Sequence, residues 1–305
     1  MKKVVITGPT GCIGVALSRA LLADGCEVYA VCRPNSPNIR LLPVHPSIHV
    51  VESDIKDLSL LASRLGGGFD TFFHLAWSGT FGADRNDTQR QLKNVKYTLD
   101  AVKLAKDIGC RMFIGAGSQA EYGHFDRPAD DTLVPKPFTF YGAAKLSAGQ
   151  MSRVYANQIG IAHAWVRIFS IYGPGDDKNT LVHFLIRELL ADGSPALTAG
   201  EQTWDYLYSD DAAKALAAVA ESGKDGSVYN LGSGEQRVLK EYISIIRDIV
   251  SPKTVLRLGD RPYGQDQVMY LSADINKLKN DTGFVPKTTF DEGVKQTLKA
   301  IVSEE

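Results

Sequence analysis

From Lys3 onward, short runs of β-branched and aromatic residues alternate with longer stretches whose apolar positions recur every three or four residues. The short runs predict strands at Lys3 to Thr7, Glu27 to Cys32, Ile48 to Glu52, Thr71 to Leu75, Arg111 to Ala116 and Ala162 to Phe169. The longer stretches predict helices over Cys12 to Ala23, Leu58 to Leu65, Asp84 to Ile108 and Tyr141 to Ile159. Gly25, Gly66 to Gly68, Gly109 and Gly160 stand where helices end in residues that tolerate positive φ. Repeated strand-helix-strand units mean a parallel sheet, so the expected class is α/β, a doubly wound parallel sheet of the Rossmann kind.

The alternation stops at Gly173-Pro174-Gly175. Asp210 to Ser222 then reads as a helix, and Ser227 to Leu231 as a strand able to rejoin the sheet. Residues 1–169 and 205–232 are therefore expected to form a dinucleotide-binding domain, and 170–204 with 233–305 a second, smaller, discontinuous substrate domain. Open α/β sheets bind ligands at the carboxyl ends of their strands, which places the expected cleft between the two parts.

Composition narrows the class without changing it. With 305 residues, 44% of them hydrophobic and 23% charged, the chain suits a packed globular protein and excludes disordered or collagen-like readings. Lys and Arg number 34 against 35 Asp and Glu, and no block of like charge occurs, so neither nucleic acid nor a membrane is an expected partner. The apolar run after Met1 breaks at Gly8 and Pro9, too early for a signal segment. Cys12, Cys26, Cys32 and Cys110 form no C-x-x-C pair, so no metal site is indicated and a reducing, cytoplasmic location is expected.

Gly8, Gly11 and Gly14 lie between the first strand and the first helix, around Thr10, Cys12 and Ile13. In that position a glycine triplet presents backbone N–H groups to a pyrophosphate at the positive end of a helix dipole. At the end of the second strand, Val31-Cys32-Arg33-Pro34 carries no acid to grip a ribose hydroxyl and one arginine suited to a 2′-phosphate. A charge-assisted contact of ~1.5 to 3 kcal/mol moves cofactor preference by one to two orders of magnitude, so NADP is expected over NAD. Asp54, with Ile55 beside it after the third strand, is placed to accept from an adenine amine.

Tyr141 and Lys145, four apart on a predicted helix, share one face. A unit charge at ~4 Å supplies about the ~4 kcal/mol that lowering a phenol by ~3 pKa units requires, so Lys145 is expected to tune Tyr141. Ser118 follows the fifth strand at the same sheet edge and could hold a carbonyl oxygen. Hydroxyl, phenol and ammonium together suit proton transfer beside a nicotinamide.

These motifs resemble the extended short-chain dehydrogenases/reductases, in their nucleotide-sugar epimerase, dehydratase and reductase group. The likeness runs through Thr7-Gly8 to Gly14, His74-Leu75-Ala76, Asn94, Ser118 to Gly123, Tyr141-Gly142-Ala143-Ala144-Lys145, Arg167 to Gly175, Tyr229 to Gly234 and Arg261-Pro262. It implies catalytic roles for Ser118, Tyr141 and Lys145, and adds Leu75, Ala76, Trp77, Asn94 and Phe169 to the cofactor set, with Tyr141 and Lys145 shared. It also implies a nucleotide-diphosphate sugar as substrate, met by Trp77, Ser118, Gln119, Tyr141, Ser170, Trp204 and Arg261. A homodimer through the helices at Asp84 to Ile108 and Tyr141 to Ile159 is implied as well.

The departures from the group refine the expectation. Cys32 replaces the aspartate of NAD-binding epimerases, and Ala120 stands where dehydratases carry an acid. Ser170 and Trp204 replace an asparagine and an arginine, so Arg261 carries more of the diphosphate grip. With Trp77, these features are closest to deoxysugar 4-ketoreductases. The expected function is NADPH-dependent reduction of a nucleotide-linked 4-keto-6-deoxysugar, with Tyr141 as proton donor. The alternatives are an NAD-dependent nucleotide-sugar 4-epimerase and, from another class, an inactive cofactor-binding scaffold.

Overall fold

Val4, Val5 and Ile6 are all completely buried, the condition of a central parallel strand covered on both faces. A computed structural model of the chain describes residues 1–304. Strands β1 Lys3–Thr7, β2 Glu27–Cys32, β3 Ile48–Glu52, β4 Thr71–His74, β5 Met112–Ser118 and β6 Ala162–Ile168 alternate with helices α1 Cys12–Ala23, α2 Ala62–Leu65, α3 Thr88–Asp107 and α4 Phe140–Ile159. Four short strands follow, β7 Ser170–Tyr172, β8 Ala196–Leu197, β9 Thr203–Trp204 and β10 Tyr206–Tyr208, with helix α5 Leu181–Leu190 among them. After α6 Ser209–Ser222, strand β11 Ser227–Leu231 returns to pair in parallel with β6. The chain continues through β12 Arg237–Val238, α7 Leu239–Val250, β13 Arg257–Leu258, α8 Asn276–Thr282 and α9 Phe290–Glu304.

The main sheet is wholly parallel and ordered β11-β6-β5-β4-β1-β2-β3. This is the doubly wound α/β fold expected from the sequence, with the reversal of winding at β1 and β4. One face is covered by α1, α6 and Leu278 of α8, the other by α3, Ala156 of α4 and the segment around Leu58 to Leu65. A separate core joins Leu185 and Ile186 of α5, Ile243 and Ile246 of α7 and Val294 of α9 to Tyr172 and Tyr208.

Three local differences from the sequence expectation have visible causes. The stretch Leu58 to Leu65 is not one helix: the Asp54 side chain accepts from Lys56 N–H and starts a 3₁₀ turn at Ile55–Leu60 before α2 begins. Residues Gly82–Asn86 likewise form a 3₁₀ turn, and α3 starts only after Asp87, whose carboxylate caps it through Arg90 N–H. Strand β5 runs on to Ser118, delivering that residue to the sheet edge.

Asp205, between β9 and β10, binds the later segments to this frame. It is completely buried and accepts from Ser233 N–H and Oγ at 2.7 Å each, Gly234 N–H at 3.2 Å and Ala273 N–H at 3.1 Å. Asp205→Ala strands these donors and is expected to lower the unfolding free energy by about 3 kcal/mol or more in urea titration. A loss below about 1 kcal/mol would remove Asp205 from this role.

Candidate active site

The glycine loop forms one wall of a groove of about 630 Å³. Gly8, at φ +70°, passes so close to β4 that a Cβ there would stand 2.8 Å from Ala76 N, and a Cβ on Gly14 would meet Gly8 O at 2.3 Å. Helix α1 starts at Gly11 with no side-chain cap and no acid in its first turn, leaving its N–H groups and dipole for an anion. These features fit a dinucleotide pyrophosphate. Thr10, Arg33, Asp54, Ile55, Leu75, Ala76 and Trp77 line the groove with Gly8 and Gly11. Cys12, Ile13 and Gly14 lie in the first turn behind them, where burial raises the Cys12 thiol far above its ordinary pKa.

One acid was missed by reading β2 alone. Glu52 of β3 is the register partner of Cys32 and accepts from Asn35 N–H at 3.4 Å, so a carboxylate does stand beside the end of β2. Only the strand order could have revealed it.

Between the groove and α3 lies a buried polar network. His74 bonds Thr7 Oγ1 through Nδ1 at 2.9 Å, tying the ends of β4 and β1, and burial drives its pKa down to about 3, so it is neutral. Asn94 uses its amide on both backbone groups of Ser78, accepting at 3.0 Å and donating at 2.8 Å. Gln91, one turn earlier on α3, accepts from Trp77 Nε1 at 2.9 Å and donates to Gly79 O and Asp84 O at 2.8 and 2.9 Å. Gln91 and Asn94 thus hold Trp77 and the following loop in place rather than facing the groove. The spacing of Gln91 and Asn94, three residues apart on one helix face, was the available signal.

Ser118, Tyr141 and Lys145 come together at the strand ends. Thr139 caps α4 by accepting from Gly142 N–H at 3.0 Å, and a Cβ on Gly142 would strike Ala120 O at 2.3 Å, so the start of α4 sits directly on the serine segment. Ser118 Oγ accepts from Ala120 N–H at 3.1 Å and stands near enough to the Tyr141 phenol to favour its ionised form. Lys145 donates to Ala116 O at 2.6 Å, with its ammonium 3.8 Å from the Trp77 ring centroid and 5.9 Å from that of Tyr141. The cation nearest the phenol is Arg85, from the 3₁₀ turn, 4.5 Å over its ring. Burial raises the Tyr141 pKa, opposed by the Ser118 hydroxyl and Arg85. The Lys145 ammonium, expected to tune Tyr141, is turned to Ala116 O and the Trp77 ring. Burial pushes Lys145 itself down to about 7, with Glu121 pulling the other way.

The remaining substrate-side residues are spread more widely. Gln119 opens the 3₁₀ turn Gln119–Glu121. Ser170 and Trp204 bond each other, indole Nε1 to Oγ at 2.8 Å. Phe169 is buried against Tyr122 at 6.4 Å between ring centroids, and Arg261 lines a different cavity of about 710 Å³. Among the described residues no cluster suited to a metal occurs, and no helix is long and apolar enough to cross a membrane.

A glycine cradle after the carboxyl end of β1, a serine at the end of β5 and a tyrosine and lysine at the start of α4 define an oxidoreductase of the short-chain dehydrogenase/reductase type. The chain belongs to the NAD dependent epimerase/dehydratase family, whose model matches residues 4–232. It is 26% identical to an uncharacterized UDP-glucose epimerase of Bacillus subtilis (strain 168), over 99% of this chain and 98% of that one. Two solved structures are similar at 25% identity. One is UDP-N-acetylglucosamine 4-epimerase from Methanobrevibacter ruminantium M1 with UDP-N-acetylmuramic acid, TM-score 0.89, covering 100% and 99% of the two chains. The other is UDP-glucuronic acid 4-epimerase from Bacillus cereus with UDP-glucuronic acid and NAD, TM-score 0.86, covering 99% and 100%.

The Lys145 environment has a consequence for stability. Its pKa of about 7 in the fold lies below its ordinary 10.5, so below pH 7 a buried charge destabilises the protein fully. As pH rises toward 10.5, the unfolded chain holds the proton that the folded protein has released, and the penalty disappears. Lys145→Met is accordingly expected to be more stable than the parent at pH 6 to 7, with the gain falling by roughly half by pH 9 in thermal melts. An equal stability difference at both ends of that range would contradict the assignment.

Proposed function

We propose that this enzyme is a nucleotide-sugar 4-epimerase. The observation that carries the reading is the state of Glu121, the only carboxylate in the serine segment. It is completely buried and accepts from Ser118 N–H at 2.8 Å, Trp165 Nε1 at 2.9 Å and Arg167 Nε at 2.8 Å. With Ala120 also buried, Ser118 to Gly123 offers no free acid or base for eliminating water from a sugar. That leaves hydride transfer at C4 without dehydration, as in epimerisation or simple reduction. The UDP-glucose epimerase and 4-epimerase relatives favour epimerisation, so the reductase expected from Cys32 and Arg33 gives way to it.

In this reading Ser118 Oγ orients the C4 oxygen, and Tyr141 takes its proton as the C4–H bond breaks. The groove around Gly8, Gly11 and Arg33 would hold the dinucleotide, which would supply the hydride acceptor for C4. Arg85 and Lys145 are the two cations flanking the phenol, and Trp77 walls the sugar site. After the 4-keto sugar turns its other face, Tyr141 gives the proton back to the same C4 oxygen as the C4–H bond re-forms. Arg261 grips the diphosphate. NADPH-dependent 4-ketoreduction is the second reading, favoured by Arg33 in the groove wall. The domain boundaries at 169/170, 204/205 and 232/233 belong to the proposal. So does a homodimer through α3 and α4, which the exposed Leu92, Met151 and Val154 support, and so does a cytoplasmic location.

Tyr141→Phe is expected to lower turnover by ~10² to 10⁴ while leaving cofactor affinity nearly unchanged. The parent protein should interconvert the C4 epimers of a UDP-hexose with no net change in absorbance at the reduced-nicotinamide band. Stoichiometric oxidation of NADPH with a nucleotide-linked 4-keto-6-deoxyhexose, and no epimer interconversion, would overturn this in favour of the reductase.

A further inference from the structure

Arg85, in the 3₁₀ turn Gly82–Asn86, holds its guanidinium 4.5 Å over the Tyr141 ring, with no carboxylate paired to it among the described residues. The acids on either side of it in sequence, Asp84 and Asp87, are both taken by Arg90, through Nη1 and Nε. The turn therefore brings a cation to Tyr141 while its nearby carboxylates are occupied elsewhere. Two bonds fix the contact from both sides. Gln91, only 1% exposed, donates to Asp84 O at 2.9 Å, directly before Arg85. Asn86 Oδ1 accepts from Phe140 N–H at 3.3 Å, directly before Tyr141.

The other groups facing the phenol come from α4, the serine segment and the end of β4. Lys145, one turn along α4, has its ammonium 5.9 Å from the Tyr141 ring centroid and donates to Ala116 O at 2.6 Å. Glu121 is paired with Arg167 at 2.8 Å, and Ser118 contributes its hydroxyl. Trp77 presents an uncharged ring, edge to face, at 6.2 Å between centroids. Burial pulls Lys145 down to about 7, so its charge fades above that pH. A guanidinium keeps its proton at any pH an enzyme meets. Above pH 7, the cation that persists beside the phenol is Arg85.

We infer that Arg85 is a positioning residue for the proton transfer, its fixed charge over the ring favouring the phenolate that takes the proton of the C4 hydroxyl. The assignment rests on the nucleotide-sugar reading above, in which Tyr141 moves that proton, and adds the group that keeps it able to do so on the alkaline side. A unit charge ~5 Å from an acid moves its titration by roughly half a pH unit in water and about two at an effective dielectric of ~20. Removing the charge raises the phenol, so the phenolate then forms only at higher pH.

The pH dependence of kcat/KM for interconversion of the C4 epimers of a UDP-hexose, measured on the whole enzyme with NAD supplied, tests this. The rate should rise with pH as Tyr141 ionises. In Arg85→Gln and in Arg85→Met, two neutral replacements, that rise should move upward by at least about half a pH unit. Arg85→Lys, which keeps the charge, should move it less than half as far. An unmoved rise in the neutral variants overturns the inference. So does an equal shift in all three, which would assign the effect to packing. If the parent interconverts no epimers but oxidises NADPH with a nucleotide-linked 4-keto-6-deoxyhexose, the epimerase reading fails alone. The inference is then decided on the alkaline fall of that reaction, where Tyr141 must keep its proton, by the same upward shift and the same comparison of variants. A parent that turns over neither substrate overturns the nucleotide-sugar reading and this inference with it.

Discussion

The active-site end of this protein is organised around one buried carboxylate. Glu121 has no exposure to solvent, and burying an ion costs several kcal/mol unless its oxygens are fully engaged. Here they are, by the Ser118 N–H, the Trp165 indole and the Arg167 guanidinium. The same contacts fasten the end of β5 to β6. Gly117 is required between them, since a Cβ there would lie 2.4 Å from Trp165 Nε1 and 2.6 Å from Glu121 Oε1. Gly149 of α4 then admits the other side of the indole, where a Cβ would approach to 2.7 Å. The result is a helix seated tightly enough to bring Tyr141 to Ser118.

That arrangement divides the labour of the site. Glu121 is committed to structure, and in the proposed reading Ser118 and Tyr141 are the groups left to move a proton. Lys145, in a dry environment that pulls it to about 7, rests on Trp77, and Trp77 is held by Gln91. Arg85 arrives from the loop that Gln91 also fixes, so one buried amide positions both an aromatic wall and the cation nearest the phenol.

Much of this was legible in the chain because its signals are local. Central strands read as β-branched runs, and Gly8, Gly11 and Gly14 announce a strand-to-helix turn that only small residues can make. Tyr141 and Lys145 announce themselves by helical spacing. What was not legible depends on sequence-distant neighbours. Glu52 stands beside Cys32 only because β3 pairs with β2, and Arg85 reaches Tyr141 only because a 3₁₀ turn folds back over α4. The preference for a reductase drew on Cys32, Arg33, Ala120 and Trp77, and the carboxylate that β3 brings beside Cys32 could not enter that reading.

The central claim is that a hydride leaves C4 of a nucleotide-linked sugar and returns to the same carbon while Tyr141 exchanges the proton. Following a UDP-hexose deuterated at C4 through epimerisation, by mass spectrometry and proton NMR, tests it directly. The account predicts that both epimers keep the deuterium at C4 after equilibrium is reached in ordinary water. Loss of the label to solvent, or its accumulation in released nicotinamide, would contradict it.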